Sequence, residues 1–278
     1  MLDDTLTSLR QEDRSAPPRA RGTTHVSVRA RQGRSVLAKL YQAGSMKTLF
    51  PHGADMTAVL LNTAGGVTGG DQFHVEMSAH ERANLTVTTQ AAERIYQAQP
   101  GQIGTIETRL EALDGSRIDW LPQETIVYNK AGLVRRLRVE LHATATLLLV
   151  EPVVMGRTAM GEVVDDVDFR DSIEVVEDGC ATFVDRTHFK GDTTRILAGP
   201  ATGAGATAYA TVLFRATNAA DYLEAARPLL GPGGGISALS ETLLCARIVA
   251  RDSFDLRKTL VPLASFLRGR PLPRTWMI

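Results

Sequence analysis

Short segments in which apolar and polar residues alternate recur along most of this 278-residue chain. Runs such as THVSVRAR, QFHVEM and ANLTVTTQ carry an apolar or β-branched side chain at every second position. A period of two is that of a β-strand with one buried face, and β-branched residues suit the pleated conformation. Because these runs follow one another from Thr23 to Phe214, we expect most of the chain to fold as strands.

Two features refine this prediction. The segment TLLLVEPVVM, residues 146–155, is apolar at nearly every position, which is typical of a strand that is buried on both faces. The pairs Asp114-Gly115 and Asp178-Gly179 lie between strand-like runs, and Asp-Gly favours two-residue hairpin turns. The sequence therefore predicts a hairpin at each pair.

Helical patterns appear mainly in the last quarter of the chain. Residues 218–230 and 253–269 place apolar residues three or four positions apart. In the second segment Ser253 is a candidate N-cap, Pro262 should kink the helix, and Gly269 should follow its end. We predict a mainly β fold, either a sandwich or a coiled β-solenoid, with the C-terminal helices packed on one side or end.

Composition narrows the environment and the partners. Lys and Arg balance Asp and Glu at 31 each, and aromatic residues make up only 5%, so nothing indicates a nucleic-acid surface.

Residues 1–22 are charged and aperiodic, which predicts a flexible leader rather than a secretory signal, followed by one domain over residues 23–278. The longest apolar run is too short to span a bilayer. With Cys180 and Cys245 expected as buried free thiols, a cytoplasmic protein is favoured.

No motif for a permanent metal site or a catalytic nucleophile is present. The six histidines form no His-Glu-x-x-His motif. His74 and Asp71 could meet across a turn, but isolated surface histidines are expected. The glycine-rich loop LNTAGGVTGGDQFHVEM, residues 61–77, lacks the lysine of a P-loop and the spacing of a dinucleotide-binding loop. There is no Gly-x-Ser-x-Gly elbow either.

Four carboxylates stand in unusual glycine-rich or apolar settings. Burying a carboxylate is costly unless a partner compensates its charge. Each is therefore interpreted as a structural ion pair or turn acceptor, or as part of a polar interior path. An enzyme with an undetected carboxylate pair, such as Glu151 and Glu162, is one alternative. The four residues are Asp71, Glu93, Glu151 and Glu162.

Several segments resemble one known family in their order and approximate spacing. They are NTAGGVTGGD (62–71), TTQAAERIYQA (88–98), WLPQETIVYNKA (120–131), EPVVMGRTAMGE (151–162) and the ending LASFLRGRPLPRTWMI. Together they resemble the urease accessory protein UreD family, called UreH in some organisms, over nearly all of residues 23–278. The chain departs from the family at Gln90, where many members have proline, and before the glycines, where many have Pro-Pro.

The resemblance implies a mostly β, elongated β-helical fold and a non-catalytic role. Members of that family are expected to act as a scaffold or chaperone that docks on apo-urease with UreF and the GTPase UreG. This assembly would help to insert two nickel ions, so UreF, UreG and the urease structural subunits are the implied partners. No cofactor would be permanently bound, and nickel would pass transiently. The alternative is a β-rich interaction protein with no metal role.

Three sets of residues follow from this interpretation. Asp71, Glu151 and Glu162 would form an acidic hydrated route that holds nickel weakly enough to release it. Arg274 and Trp276 would dock a partner, since Trp and Arg are typical interface anchors, unless Trp276 simply caps the core. Four glycines would let a strand turn sharply where a side chain would clash, and would direct Asp71 inward. These are Gly65, Gly66, Gly69 and Gly70.

Overall fold

The computed structural model describes residues 18–53, 55–157 and 160–277. The strands are Arg21–Arg31 (β1), Arg34–Gly44 (β2), Met46–Leu49 (β3), Thr57–Asn62 (β4), Gln72–Ala79 (β5), Asn84–Thr89 (β6), Glu93–Ile95 (β7), Gly104–Ala112 (β8), Arg117–Leu121 (β9), Thr125–Val127 (β10), Gly132–Leu141 (β11), Thr146–Met155 (β12), Asp168–Glu177 (β13), Cys180–Lys190 (β14), Ala208–Arg215 (β15), Gly234–Ser240 (β16) and Leu243–Ala250 (β17). The α-helices are Thr193–Leu197 (α1), Leu223–Ala226 (α2) and Ser253–Arg268 (α3), and 3₁₀ turns cover Ala219–Tyr222, Arg227–Leu229 and Arg274–Met277. With 52% strand and 14% helix, the mainly β prediction is confirmed.

The chain alternates between two sheets. The first sheet has the strand order β14-β13-β11-β8-β5-β1-β2, and the second has the order β16-β17-β15-β12-β9-β6-β4-β3. Strands β5, β8 and β11 pair in parallel in the first sheet, as β6, β9 and β12 do in the second. Leu85 lies beside Ile118, and Ile118 beside Leu147, so successive circuits of the chain stack their strands in register. The short strands β7 and β10 also belong to the second sheet, where β10 pairs in parallel with β7 and with β12. Of the two folds that the sequence predicted, a sandwich or a coiled β-solenoid, the structure is the solenoid.

Two apolar cores flank the second sheet. One lies between the two sheets and contains Phe73 and Leu147, and the other contains Leu148 together with Leu256 of α3. Strand β12 contributes alternate side chains to both cores, and every residue from 147 to 155 is buried. The predicted burial of this strand on both faces is thereby confirmed.

Only one of the two predicted hairpins forms. Asp178 and Gly179 have φ values of 47° and 83°, and they join the antiparallel strands β13 and β14. The hairpin predicted at Asp114-Gly115 is wrong, because this pair leads from β8 in the first sheet to β9 in the second. The type I′ turn that Asp-Gly favours needs positive φ at both residues, and a type II′ turn needs it at the first; in this pair only the second residue, Gly115 at 61°, has a positive φ.

Helix α3 confirms the main C-terminal prediction, with one correction at its start. Its N-cap is Asp252 rather than Ser253, because the Asp252 carboxylate accepts the Asp255 backbone N–H at 2.8 Å. Its end follows the prediction, since Gly269 is left-handed with a φ of 73° and donates its N–H to the Ser265 carbonyl at 3.0 Å. The predicted helix over residues 218–230 is divided into two 3₁₀ turns and the short α2.

The N-terminal segment and the two cysteines differ in part from the sequence predictions. Strand β1 includes Arg21 and Gly22 of the predicted leader, while residues 1–17 lie outside the described residues. Both cysteines are free, but the prediction that both are buried is wrong, because Cys180 is exposed on β14 and Cys245 is only half-buried. Within the described ranges, no helix combines the length and the apolar character needed to cross a membrane.

Candidate functional site

The glycine-rich loop joins β4 to β5. Gly65, Gly66 and Gly70 have φ values of 80°, 153° and 88°, which L side chains rarely adopt. Gly69 lies outside this region of φ, but a Cβ atom there would lie 2.7 Å from the Cβ of Gln102. Backbone conformation at three positions and close packing at the fourth therefore favour glycine.

Asp71 follows these glycines and is buried. Its Oδ1 accepts the backbone N–H of Ala20 at 2.8 Å, and its Oδ2 accepts that of Thr68 at 2.9 Å. These bonds connect the loop to the residue that precedes β1. Both carboxylate oxygens thus satisfy backbone donors, as expected of a turn acceptor, and the assignment of Asp71 to a nickel route stays a prediction.

Glu162 is also held by local partners. Its Oε2 accepts hydrogen bonds from the side chain and backbone of Arg157 at 2.8 Å and 3.0 Å, and its Oε1 accepts the Asn129 N–H at 3.1 Å. Burial raises the pKa of Glu162, but these hydrogen bonds outweigh it and hold the pKa below its ordinary value. Glu162 therefore has the character of a surface ion pair with Arg157, and its part in a nickel route stays a prediction.

Glu151 lies between the two sheets in a buried charged cluster. Its Oε1 accepts the indole N–H of Trp120 at 2.6 Å. Its Oε2 lies 2.7 Å from Nη1 of Arg135, close enough for an ion pair but without hydrogen-bond geometry. Arg135 donates two further bonds to the carboxylate of Asp171, at 2.9 Å and 2.6 Å. Two buried carboxylates therefore share one guanidinium.

This sharing leaves the cluster with more negative than positive groups. Burial raises the pKa of Glu151, Arg135 opposes this effect, and the nearby Asp171 adds to it. Burial also raises the pKa of Tyr209, whose hydroxyl has no hydrogen-bond partner among the described residues. The cluster can accept either a proton or a cation at Glu151, because each would neutralise the excess charge.

A cavity of about 200 Å³ leads to this cluster. Exposed Gln90 and half-buried Glu93 line it near the surface, and Trp120, Arg135 and Glu151 line it inside. A space of this size has room for several water molecules, and the polar groups at both ends give them partners. Apolar side chains of the first sheet complete the wall. They include Phe73, Val75 and Ile106.

Glu93 controls the charge near the surface end of the cavity. Asn62 Nδ2 donates to its two carboxylate oxygens at 3.2 Å and 3.3 Å. Burial nevertheless raises the pKa of Glu93 from 4.5 to about 7. Near neutral pH this carboxyl group therefore exchanges its proton readily, and a cation in the cavity would favour the ionised form.

The two residues predicted to dock a partner have different environments. Trp276 is 3% exposed in the second core, and its indole N–H donates to the Leu121 carbonyl at 3.0 Å. The Arg257 guanidinium lies 5.3 Å from the ring centroid of Trp276. Arg274, in contrast, is exposed. Trp276 therefore caps the core, and docking by this segment stays a prediction for which Arg274 is the accessible residue.

Comparison with known proteins decides the family. The family model described as "UreD urease accessory protein" matches residues 20–277. The chain belongs to the UreD family. Urease accessory protein UreD of Roseobacter denitrificans is 43% identical over 279 residues, which cover 100% of both chains. The proteins of the same name from Ruegeria pomeroyi and Rhizobium etli are 45% and 42% identical, over 88% and 94% of this chain and 96% of each relative.

Membership of the UreD family supports a role in urease maturation and interaction with urease-related proteins. The word "accessory" in the family description suggests a maturation factor rather than an enzyme. Of the three carboxylates predicted to form the route, only Glu151 lines the cavity in this UreD-family chain. Glu93, which the sequence marked as unusual but did not assign to the route, lines the same cavity. Arg135 and Asp171 were missed entirely.

The raised pKa of Glu93 leads to a prediction about stability. Because the folded-state pKa of about 7 exceeds the ordinary 4.5, the folded protein binds more protons between these pH values than the unfolded chain. Stability should therefore fall as the pH rises from about 4.5 to about 7. The free energy of unfolding of Glu93→Gln, relative to that of the parent, should therefore increase by about 1–3 kcal/mol between about pH 5 and about pH 8.

Chemical denaturation at the two pH values measures this gain. Glu111→Gln is a matched control, because Glu111 is an exposed carboxylate on the first sheet. The control should follow the pH dependence of the parent. If Glu93→Gln also follows it, Glu93 does not titrate near neutral pH.

Proposed function

We propose that this chain is a non-catalytic scaffold for urease maturation, and that nickel passes through the cavity between its two sheets. In this proposal the chain acts with UreF and the GTPase UreG on the urease structural subunits. The observation that carries the nickel role is the cavity that places half-buried Glu93 and buried Glu151 along one continuous space. Family membership supports the maturation role.

Carboxylates separated by water suit the transfer of an ion better than its retention. Nickel accepts oxygen and nitrogen ligands, and a set of histidines or thiolates would hold it more tightly than a carboxylate with water. Glu93 and Glu151 both have raised pKa values, so each can exchange a proton for a cation. A route of this kind offers the ion one carboxylate at a time.

Arg135 limits how strongly the inner end of the cavity binds a cation. Its guanidinium contacts both Glu151 and Asp171, so it neutralises one of the two negative charges. Without this guanidinium, the two carboxylates would form a strong cation trap. With it, the net attraction is that of about one charge, which favours release toward urease.

The geometry does not favour an enzyme built on Glu151 and Glu162. Glu151 faces the cavity between the sheets, whereas Glu162 lines a different cavity with Val164 and Thr193. Glu162 is also engaged by Arg157. The two carboxylates therefore do not flank a common space in which a substrate would bind.

Co-expression tests the maturation role. Urease structural subunits, UreF and UreG are produced with and without this chain, and the nickel content of the purified urease is measured by mass spectrometry. We expect urease made without the chain to remain largely nickel-free, and a tagged form of the chain to capture UreF and urease. Full nickel loading without the chain contradicts the proposal. Capture with no effect on nickel content instead supports an interaction protein with no metal role.

A further inference from the structure

Two histidines and a glutamate meet on the outer face of the first sheet, on the opposite side from the cavity. His25 lies on β1, and His74 and Glu76 lie on β5, where His25 and Glu76 are direct neighbours in the parallel register. Glu76 Oε1 is 2.9 Å from His74 Nε2, and its Oε2 is 3.4 Å from His25 Nδ1. The imidazole centroids are 5.7 Å apart. One ligand atom of each residue lies within 4.8 Å of the other two.

The strand geometry explains why these side chains converge. Neighbouring strands lie about 4.8 Å apart, and alternate residues of one strand point to the same face. His74 and Glu76 therefore share the outer face, while Phe73 and Val75 point inward and line the cavity. The cluster is separated from the cavity by the sheet itself.

The three side chains fit a divalent cation with open coordination positions. Metal bonds to imidazole nitrogen and carboxylate oxygen are about 2.0–2.2 Å long, so such ligand atoms lie about 3–4 Å apart around the metal. Small side-chain rotations bring atoms within 4.8 Å to that spacing. The side chains are 30%, 40% and 35% exposed for His25, His74 and Glu76, so an ion can enter from solvent and keep bound water.

Two observations separate this cluster from an ordinary surface ion pair. His25 Nε2 is shielded from solvent and has no hydrogen-bond partner in the described part of the chain. Glu107 Oε2 lies 3.9 Å from His74 Nδ1, where a carboxylate can orient the ring from behind. By contrast, His188 and His142 each lie near a single carboxylate. Over residues 18–53, 55–157 and 160–277, His25, His74 and Glu76 form the only cluster of this kind.

We propose that His25, His74 and Glu76 form a surface site for a late first-row divalent cation, with Ni²⁺, Zn²⁺ and Cu²⁺ as the ions that suit two imidazoles and one carboxylate. Water completes the coordination. This site is distinct from the interior cavity, and it does not depend on the proposed function. It binds the ion on the isolated chain, without a partner protein.

Isothermal titration of the purified, tag-free full chain with Ni²⁺ and with Zn²⁺ tests the site. The background is the Glu93→Gln/Glu151→Gln variant, so that cavity carboxylates do not contribute. We expect His25→Gln, His74→Gln and Glu76→Gln each to weaken binding of one equivalent by at least about ten-fold. His188→Gln is the matched control, because His188 is on the outer face of the same sheet, and it should bind like its background.

Spectroscopy gives a second readout that does not depend on the heat signal. Cu²⁺ bound to imidazole nitrogen has a characteristic paramagnetic resonance spectrum, and the His25→Gln/His74→Gln double variant should lose it. Thermal unfolding checks that each variant is folded. Unchanged stoichiometry and affinity in the folded double variant would overturn the proposal, and so would the absence of any binding by the background protein.

Discussion

Replacing Arg135 by methionine should lower the free energy of unfolding by about 3–5 kcal/mol, because it leaves buried carboxylates without their counter-charge. The Arg135 guanidinium lies 2.7 Å from Glu151 and 2.6 Å from Asp171. Methionine has similar length and is apolar, so it fills much of the same space but compensates neither charge. Chemical denaturation at neutral pH measures the loss.

Arg136→Met is the matched control for this substitution. Arg136 is the next residue of β11, and its side chain is 57% exposed in a surface pair with Glu107, which predicts a change below about 1 kcal/mol. The loss in Arg135→Met should shrink at low pH, because protonation neutralises the stranded carboxylates. If Arg135→Met is as stable as Arg136→Met at neutral pH, the buried cluster is not held by charge.

Local sequence patterns predict the strands well because each strand buries one face. In GLVRRLRVEL, alternate positions carry Leu133, Leu137 and Val139, and these side chains face the core. Such patterns do not predict which strands pair with each other. Asp114-Gly115 has the sequence of a hairpin, yet the chain continues to the other sheet, because the parallel neighbours of β8 are supplied by distant segments.

The buried charged cluster left a signal in the sequence that periodicity alone did not reveal. Arg135 occupies the apolar side of the alternation between Leu133 and Leu137, and Asp171 occupies the corresponding place between Phe169 and Ile173. A charge at a core position needs a buried partner. Two opposite charges of this kind on neighbouring strands therefore indicate each other, but only once the pairing of β11 with β13 is known.

Local motifs did not predict the surface histidine cluster either, because it also depends on which strands pair. His25 and His74 lie far apart in the sequence, and the parallel pairing of β1 with β5 brings them together. Local motifs therefore predicted isolated histidines. Similarly, the burial of Trp276 depends on its contact with Leu121 of β9, which no C-terminal motif encodes.

The second large effect that we expect concerns nickel delivery. Glu151→Gln should keep the fold, because Arg135 keeps its two bonds to Asp171 and the amide oxygen still accepts the Trp120 indole N–H. It should cost some stability, because the amide NH2 then faces Nη1 of Arg135 in place of Oε2. Glu93→Gln removes the other carboxylate of the cavity. If nickel passes between these groups, the double variant should deliver on the order of ten-fold less nickel, the change expected when about 1.4 kcal/mol of cation stabilisation is lost.

Glu140→Gln is the control for this double variant. The Glu140 side chain is 44% exposed and does not line the cavity. Asp71→Asn is less suitable as a probe of the route. The Asp71 carboxylate accepts two backbone N–H groups, so its amide would weaken the turn and alter assembly as well as transfer.

The direct measurement is the number of nickel ions per urease active site after maturation with each variant, at equal amounts of assembled complex as quantified by pull-down. Maturation with the parent chain and with Glu140→Gln should load urease fully. Maturation with Glu93→Gln/Glu151→Gln should leave most sites empty although the complex assembles. Normal loading by the double variant in an intact complex would contradict passage of nickel through this cavity.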